Sequence, residues 1–553
     1  MKVIFHLFAY LFFISNICGQ SFNKREDYYL HNFFQRIKYR HLLDNYDDYV
    51  IKNIDIRSLD FISTISKKSS KLNEIEKIIL QELLNDRREF DKELISFSPD
   101  SIFNFKFFNS NPSFLFYSKD TSNNFVGVNF LIRSRNILDF NSKTKKAELY
   151  FLQWGGKLQL RYKAFCGYIQ AFNGKTFGFW QKKLWKEFPE LHKNVKLQDF
   201  MSSGEQYIDD TEGNFSLNFE DFEFGISREK IQLGYGELKE LMNVNIPRYD
   251  FVYFNYYGGF FNYSFIHSKL LGTQSGYRDS LAGDIIKYED KYLAFHRFNF
   301  NFSKYLSFGF SETAIYSRRG IDLSYLNPFN FYKSVEHSNQ DRDNALMQFD
   351  INSNPIKGVR LFFSLIIDDI NFSKLNTGWH GNALAYNFGA NYFGASSKFL
   401  YEAYFQTYLI NPYVFSHRIK DNSFSHLEIP TIYPLTSNSA NFLLGGKIIF
   451  DLDNIVDIKF LYNIIGKNKL NNNGEVVENY GSDINLGYRL IDKENIKFLE
   501  GEKEKIATIQ ADYFYRIANN LDFNFIIQYI NYMSKVEKKN QTFSVFCLFN
   551  YKI

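Results

Sequence analysis

KYLAFHRFNFNF (291–302) runs directly into SKYLSFGFSETAIYS (303–317), then into the polar segment RRGIDLSYLNPFNFYKSVEHSNQDRDN (318–344). Two further apolar runs follow, ALMQFDINSN (345–354) and VRLFFSLIIDD (359–369). From Tyr292 the even positions read Tyr, Ala, His, Phe, Phe, Phe; from Lys291 the odd positions read Lys, Leu, Phe, Arg, Asn, Asn. Alternation with period two marks strands with unlike faces. The order is strand, tight turn, strand, long loop, strand, tight turn, strand. Short turns at one end and long loops at the other are the layout of an outer-membrane β-barrel.

Outward from this stretch, the N-terminus supplies an address. Met1 and Lys2 precede a nearly all-apolar run, 3–17, and then Cys18, Gly19 and Gln20. This reads as a secretory signal peptide over 1–19; the alternative is an uncleaved anchor helix. Aromatic residues make up 19% of the 553-residue chain, with 63 Phe and 39 Tyr, while mean hydropathy is slightly polar. A helical membrane protein is rarely polar on average, whereas a barrel alternates lipid-facing and lumen-facing residues. After cleavage only Cys166 and Cys547 remain, so no disulfide framework is indicated. A net charge of +4 is too small for a nucleic-acid partner.

Residues 20–100 have a different texture. In KLNEIEKIILQELLNDRREF (71–90), Leu72, Ile75, Ile79 and Leu83 share one helical face. A small helical periplasmic region or N-terminal plug is expected there, followed by the barrel over 101–553. KLQLRYKAFCGYIQ (157–170) reads as one strand, with Leu158, Leu160, Tyr162, Ala164, Cys166 and Tyr168 on one face. Lys157, Gln159, Arg161 and Lys163 lie on the other, lumenal face. Residues 172–214 break the pattern, and KKLWKEFPELHKNVKL (182–197) is a candidate amphipathic helix at the barrel mouth. FVYFNYYGGFFNYSFIHSKL (251–270) is a hairpin turning at Gly258–Gly259. The chain ends within the alternating run QTFSVFCLFNYKI (541–553). Counting gives about 18 to 20 strands, depending on whether 480–490 belongs to a loop. The expected fold is therefore all-β and transmembrane: an antiparallel outer-membrane barrel of about 18 strands with a small N-terminal helical region.

The central stretch also resembles the Wzi-like capsule assembly family of Bacteroidota, whose members include the gliding-motility protein RemB. The matching pieces are His296-Arg297, Ser311 to Thr313, RRGIDL at 318–323, YLNP at 325–328, Glu336-His337 and DRDNALMQFD at 341–350. SREKIQLGYG (227–236) is similar to the family's strand ending in Trp-Gly-Pro-Gly, with Leu233 and Tyr235 in place of Trp and Pro. The resemblance covers about 215–390. It implies an 18-stranded outer-membrane barrel with a helical part toward the periplasm. It also implies work in attaching or exporting surface polysaccharide, or in gliding machinery.

The 318–343 loop gathers Arg318, Arg319, Asp322, Tyr325, Asn327, Tyr332, Glu336, His337, Asp341 and Asp343. Aromatic faces beside planar hydrogen-bonding side chains suit sugar rings and charged saccharides. The alternative is a loop that folds inward and constricts the pore through its own ion pairs. A three-residue turn near Ser303-Lys304 sets opposite His296 and Glu312. Both share the phase of Phe298, Phe300, Phe308 and Phe310, the face directed to lipid. A bulge turning both inward, a place above the hydrocarbon band, or an inverted phase would each remove the conflict; in every case a His–Glu hydrogen bond at the base of the loop is expected. No GxSxG elbow or HExxH pair occurs, and Asp341 and Asp343 alone do not make a metal site. No enzyme, cofactor or metal is expected. The expected partners are outer-membrane lipid, surface polysaccharide and the barrel-assembly machinery. The rival function is a substrate-selective porin, with Lys157, Arg161 and Lys163 selecting anions.

Overall fold

The computed structural model describes residues 24–43, 46, 48–51, 58–86, 116–119, 124–141, 147–177, 206–281, 283–451, 453–518, 521–534 and 540–552. The signal-peptide reading, the helix reading of 182–197 and the side chain of Leu83 lie outside what is described.

Eighteen antiparallel strands close into one barrel. They are β1 Phe125–Asn141, β2 Ala147–Tyr162, β3 Phe165–Phe177, β4 Gln206–Asn218, β5 Phe222–Glu229 and β6 Tyr249–Tyr257. Then come β7 Phe261–Asp279, β8 Gly283–Ser303, β9 Leu306–Ser317, β10 Asn344–Ser353, β11 Val359–Asp369 and β12 Ala383–Ala395. The last six are β13 Leu400–Ile410, β14 Ser439–Ile449, β15 Asn454–Lys467, β16 Glu502–Ala518, β17 Leu521–Ser534 and β18 Asn540–Lys552. β18 closes the ring on β1, from Thr542↔Asn141 to Lys552↔Leu131. Closure leaves no unpaired edge, as strands in hydrocarbon require.

Period-two alternation explains the two surfaces. Phe363, Tyr386, Phe388, Phe405, Leu444 and Phe460 point outward and are exposed. Arg297, Gln348, Asp350, Ser364, Asn387, Gln406 and Asn441 point inward and are buried. β8–β9, β10–β11, β12–β13 and β14–β15 are joined by short turns at one end; 318–343, 411–438 and 468–501 connect strands at the other. Residues 480–490 lie in the last of these loops and add no barrel strand.

Two readings of strands are corrected. Residues 157–170 are a hairpin, not one strand: Lys163 and Ala164 form the turn, and Lys163 adopts φ 54. Arg161 pairs with Cys166 and Gln159 with Tyr168, so Cys166 and Tyr168 face inward, opposite in sense to Leu158 and Tyr162. Lys163 is therefore at a turn and not on the lumen wall. The break assigned to 172–214 is also too wide, because Phe172 to Phe177 and Gln206 to Asn214 are in strands. The acidic residues that hid β4 are neutralised from within: the Arg248 guanidinium bonds Glu212 at 2.7 Å and pairs with Asp210.

Three helices, α1 Lys24–Tyr39, α2 Ser58–Lys67 and α3 Glu74–Asp86, sit at the short-turn end. Phe33, Phe34, Ile37, Ile62, Ile65, Ile75 and Ile79 form their shared core, joined by Leu400 from the barrel rim. Leu72 is buried in the same core but precedes α3. The apolar spacing thus does what amphipathic helices require: each finds a partner face.

Candidate functional site

The lumen is filled from both ends. After α1 the chain turns upward, and Val50–Ile51 pairs with Gln232–Leu233 inside the barrel. The partner belongs to 230–248, which connects β5 to β6 through the interior. Gly234 and Gly236 take φ +126 and +68. A Cβ on Gly236 would lie 2.3 Å from Gln406 Oε1. That closeness has a purpose, because Gln406 Oε1 accepts from the Glu237 and Leu238 N–H groups, both at 2.9 Å. Glu240 is fully buried, accepts from Ser364 Oγ at 2.7 Å, and also takes bonds from Gln348 and Asn387. Burial pushes its carboxyl above the usual range despite these donors.

Two arginines of the wall tie the interior together. Arg297 grips Asp350 with both terminal nitrogens, at 2.6 and 2.9 Å, donates to Tyr235 Oη at 2.9 Å, and lies 3.8 Å over the Tyr49 ring. Arg360 pairs with Asp48 at 2.5 Å. Asp48 also accepts from Tyr39 Oη at 2.8 Å and Lys38 Nζ at 3.1 Å. Burial alone would raise the Asp48 carboxyl, but Arg360 and Lys38 hold it well below the usual carboxylate range. Around these groups runs one apolar core, including Tyr49, Leu233, Leu241, Ile246, Phe295, Phe362 and Tyr408. The 411–438 loop folds down into it, adding Val414, Phe415, Phe424 and Ile432. An N-terminal plug is one of the two expectations for 20–100, and Tyr49 to Ile51 enter the lumen. Sequence reading missed the lumenal filling by 230–248 and 411–438, whose one local signal is the paired glycines of LGYG.

The 318–343 loop does something else: it folds over the outer wall. α4 Leu323–Leu326 and α5 Tyr332–Ser338 pack on the outward faces of β8, β9 and β10. Tyr325 and Tyr332 are fully buried with Tyr292, Ala294, Ala314, Tyr316 and Ala345. Arg319 grips Asp343 at 2.7 Å through both terminal nitrogens and reaches Asp322 at 3.2 Å. Asp343 also accepts from Tyr325 Oη at 3.0 Å and Asn339 at 2.9 Å. Burial would lower the Arg319 guanidinium, but Asp343 and Asp322 outweigh it and hold it above its ordinary value. Asp322 caps α4 by accepting from the Ser324 N–H. Glu336 is buried, pairs with Lys333 at 2.6 Å and accepts from the Ala345 N–H. Arg318 reaches Asp421 at 2.8 Å. Asn327, His337 and Asp341 are exposed. The residues expected to meet a saccharide therefore divide: six hold the loop to itself and to the wall, while Asn327, His337, Asp341 and Arg318, which reaches across to the 411–438 loop, are exposed.

His296 and Glu312 do lie directly opposite each other, and they are bonded at 3.0 Å, Nε2 to Oε2. Both point outward with Phe298 and Phe310, and the only register shift in this pair lies beyond Asn301. What removes the conflict is the loop, which covers them. His296 Nδ1 meets the Pro328 carbonyl at 3.0 Å, and Tyr332 stacks 4.4 Å from the imidazole. Glu312 accepts from the N–H groups of Tyr332 and Lys333 at the start of α5. A carboxylate at a helix N-terminus satisfies donors that would otherwise be orphaned.

The long-loop end carries a further aromatic cluster. His380 stacks on Tyr488 at 3.5 Å, Tyr413 meets both edge-on, and Lys374 Nζ lies 4.5 Å over Trp379. Asn438 staples the loops beneath it, donating to the carbonyls of Gly466, Tyr480 and Glu500.

Fold and interior together define an outer-membrane-type β-barrel whose lumen, among the described residues, carries a packed plug along β6 to β14. Among solved structures, the chain aligns with Wzi of Escherichia coli, an outer membrane protein involved in group 1 capsule assembly and a carbohydrate-binding β-barrel. The alignment covers 96% of this chain and 99% of that one, with a TM-score of 0.54 and 11% identity. It also aligns with a BenF-like porin from Pseudomonas fluorescens (TM-score 0.43, 6% identity, 77% and 98% covered). A third neighbour is OccK8 (OprE) of Pseudomonas aeruginosa (TM-score 0.40, 10% identity, 77% and 98% covered). At these identities the likeness shows the fold. No family model and no curated protein sequence matches the chain.

Proposed function

We propose that this protein is a plugged outer-membrane barrel that holds or helps assemble surface polysaccharide, in capsule attachment or gliding-type surface machinery. The observation that carries the reading is the packed lumen. A porin needs a water-filled passage, and here 230–248, 411–438 and the Tyr49 segment share one apolar core inside the barrel. The end-to-end fold likeness to a carbohydrate-binding capsule protein supports the same reading. In this picture α1 to α3 face the periplasm and the long loops face the cell exterior. Saccharide contact falls to the half-exposed Trp379, His380 and Tyr488 with Lys374, and to His337 and Asp341 on the outer loop. Aromatic planes with charged neighbours suit sugar rings.

The test joins two measurements on the purified barrel. Glycan-array binding should be detected and should weaken in Trp379→Ala and His337→Ala, while single-channel recordings show no steady large conductance. Steady conductance without glycan binding would establish the porin reading instead.

A further inference from the structure

We infer that the 318–343 loop is itself a membrane-contacting element, whose Phe329 and Phe331 sit against lipid acyl chains as an outward extension of the barrel's aromatic face. Three observations meet here. The first is height. Phe310 and Glu312 are the fifth and seventh residues of β9, counting from the short turn at Leu306. With about 3.3 Å per residue and a tilt near 40°, they lie roughly 10 and 15 Å up the wall. The apolar band of such barrels is about 25 Å tall. The loop's lowest point touches this level: Phe331 stacks on Phe310, and Pro328 bonds His296, the partner of Glu312.

The second observation is polarity. The loop turns the polar groups next to the wall inward, onto Glu312, His296 and Asp343, leaves Asn327, His337 and Asp341 exposed, and turns Phe329 and Phe331 outward, 72% and 49% exposed. Leu323, at 76%, and Ile321, at 57%, continue the same exposed fringe. A loop standing in water gains nothing from that arrangement. Charged groups on the lipid face cost up to about 2–4 kcal/mol at mid-membrane, so a cover that is apolar on its outer side removes a real penalty.

The third is continuity. Phe329 stacks on Tyr263 at 5.4 Å, and Tyr263 packs on Phe298, so the loop's rings join the ring system of β7, β8 and β9 without a gap. The occupant of that surface elsewhere on the barrel is lipid, and nothing separates the two areas.

The inference is tested with a nitroxide placed one site at a time in the full chain in phospholipid vesicles. Phe329→Cys, Phe331→Cys and Leu323→Cys are labelled after the buried Cys166 and Cys547 are changed to Ser. Phe388→Cys on the barrel's outer face and Leu490→Cys, on a fully exposed far loop, are the references. Collision with oxygen, relative to a water-soluble nickel chelate, should be several-fold higher at 329 and 331 than at 490, and should match 388. A ratio equal to that at 490 overturns the inference. Exclusion of both reagents also overturns it and assigns the face to a protein, with spin–spin broadening marking a second copy of this chain. Leu323 is 76% exposed and lies outside the loop's buried cluster, so its label reads out even where the ring replacements disturb the loop. The outcome is independent of the polysaccharide reading, which glycan binding decides.

Discussion

The interior and the outer wall use the same device to different ends. Inside, Arg297 holds Asp350 bidentately with Tyr235 Oη on the pair. Outside, Arg319 holds Asp343 bidentately with Tyr325 Oη on the pair. Both carboxylates are fully buried, and the arginines differ: the inner one is 1% exposed, the outer one 21%. The inner pair joins two strands to a segment that crosses the lumen. The outer pair closes a loop on itself so that it can lie against the wall. Buried charge in a barrel is thus a connector where water is scarce on all sides and a clasp where one side is open.

The largest difference between the two should come from removing each arginine. Arg297→Ala strands a buried carboxylate, which typically costs about 3–5 kcal/mol. Urea unfolding of the reconstituted barrel should show a loss of that order, together with conductance bursts as the plug loosens. Arg319→Ala should cost clearly less, about 1–3 kcal/mol, because Tyr325 and Asn339 still bond Asp343 and the partly exposed place left by the Arg319 side chain opens to water. Its readout is protease cutting within 318–343 with the barrel intact. Equal losses for the two variants would mean that burial does not set the difference.

Acid should separate the regions next. Asp48 binds its proton more weakly in the folded protein than in a released chain, since Arg360 and Lys38 favour the carboxylate. Its contribution is therefore present above the unfolded value, about 3.9, and is lost as pH falls through and below it. Plug release, followed as conductance onset or cleavage near α1, should begin in that window in the wild type. In Asp48→Asn it should already be present at neutral pH and vary little with acid.

How much of this the residues themselves announced follows from what alternation can and cannot say. Period two in β8 and β9 told inward from outward correctly, and turn arithmetic placed His296 opposite Glu312. Alternation names a face but not what covers it, so nothing local revealed that the 318–343 loop lies on the outside. The plug was hidden for a related reason. Residues 230–248 mix apolar and charged residues with no steady period, and their order comes from distant partners: Gln406, Gln348, Asn387 and the lumenal apolar core. The hairpin within 157–170 escaped because Lys163-Ala164 is not a favoured turn pair, and unbroken alternation through it mimics one strand.

Glycines sharpen the comparison on a smaller scale. Gly236 in the plug has φ +68 and no room for a Cβ, so Gly236→Ala should cost about 1–3 kcal/mol of stability. Gly320 in the outer loop has nothing within 4 Å of a Cβ, and Gly320→Ala should stay within about 0.5 kcal/mol. Thermal shifts of the two variants measure this directly.

The coupling between His296 and Glu312 is the effect most specific to the outer wall. Glu312 receives bonds from His296 and from two backbone N–H groups of α5, while His296 is shared between Glu312 and Pro328. Each residue therefore holds a different part of the loop, Glu312 the start of α5 and His296 the turn before it, and their own bond couples the two parts. His296→Ala and Glu312→Ala should each increase protease sensitivity of 318–343. The double change should add less than the sum, by roughly 1 kcal/mol, as is usual for residues in direct contact. Arg297 lies on the opposite face of the same strand from His296, facing Asp350 inside the barrel, and His296→Ala combined with Arg297→Ala should be additive. Additive behaviour of His296 with Glu312 would show that the loop is held by its aromatic packing on Tyr292 and Tyr316 alone, with the polar pair a bystander beneath it.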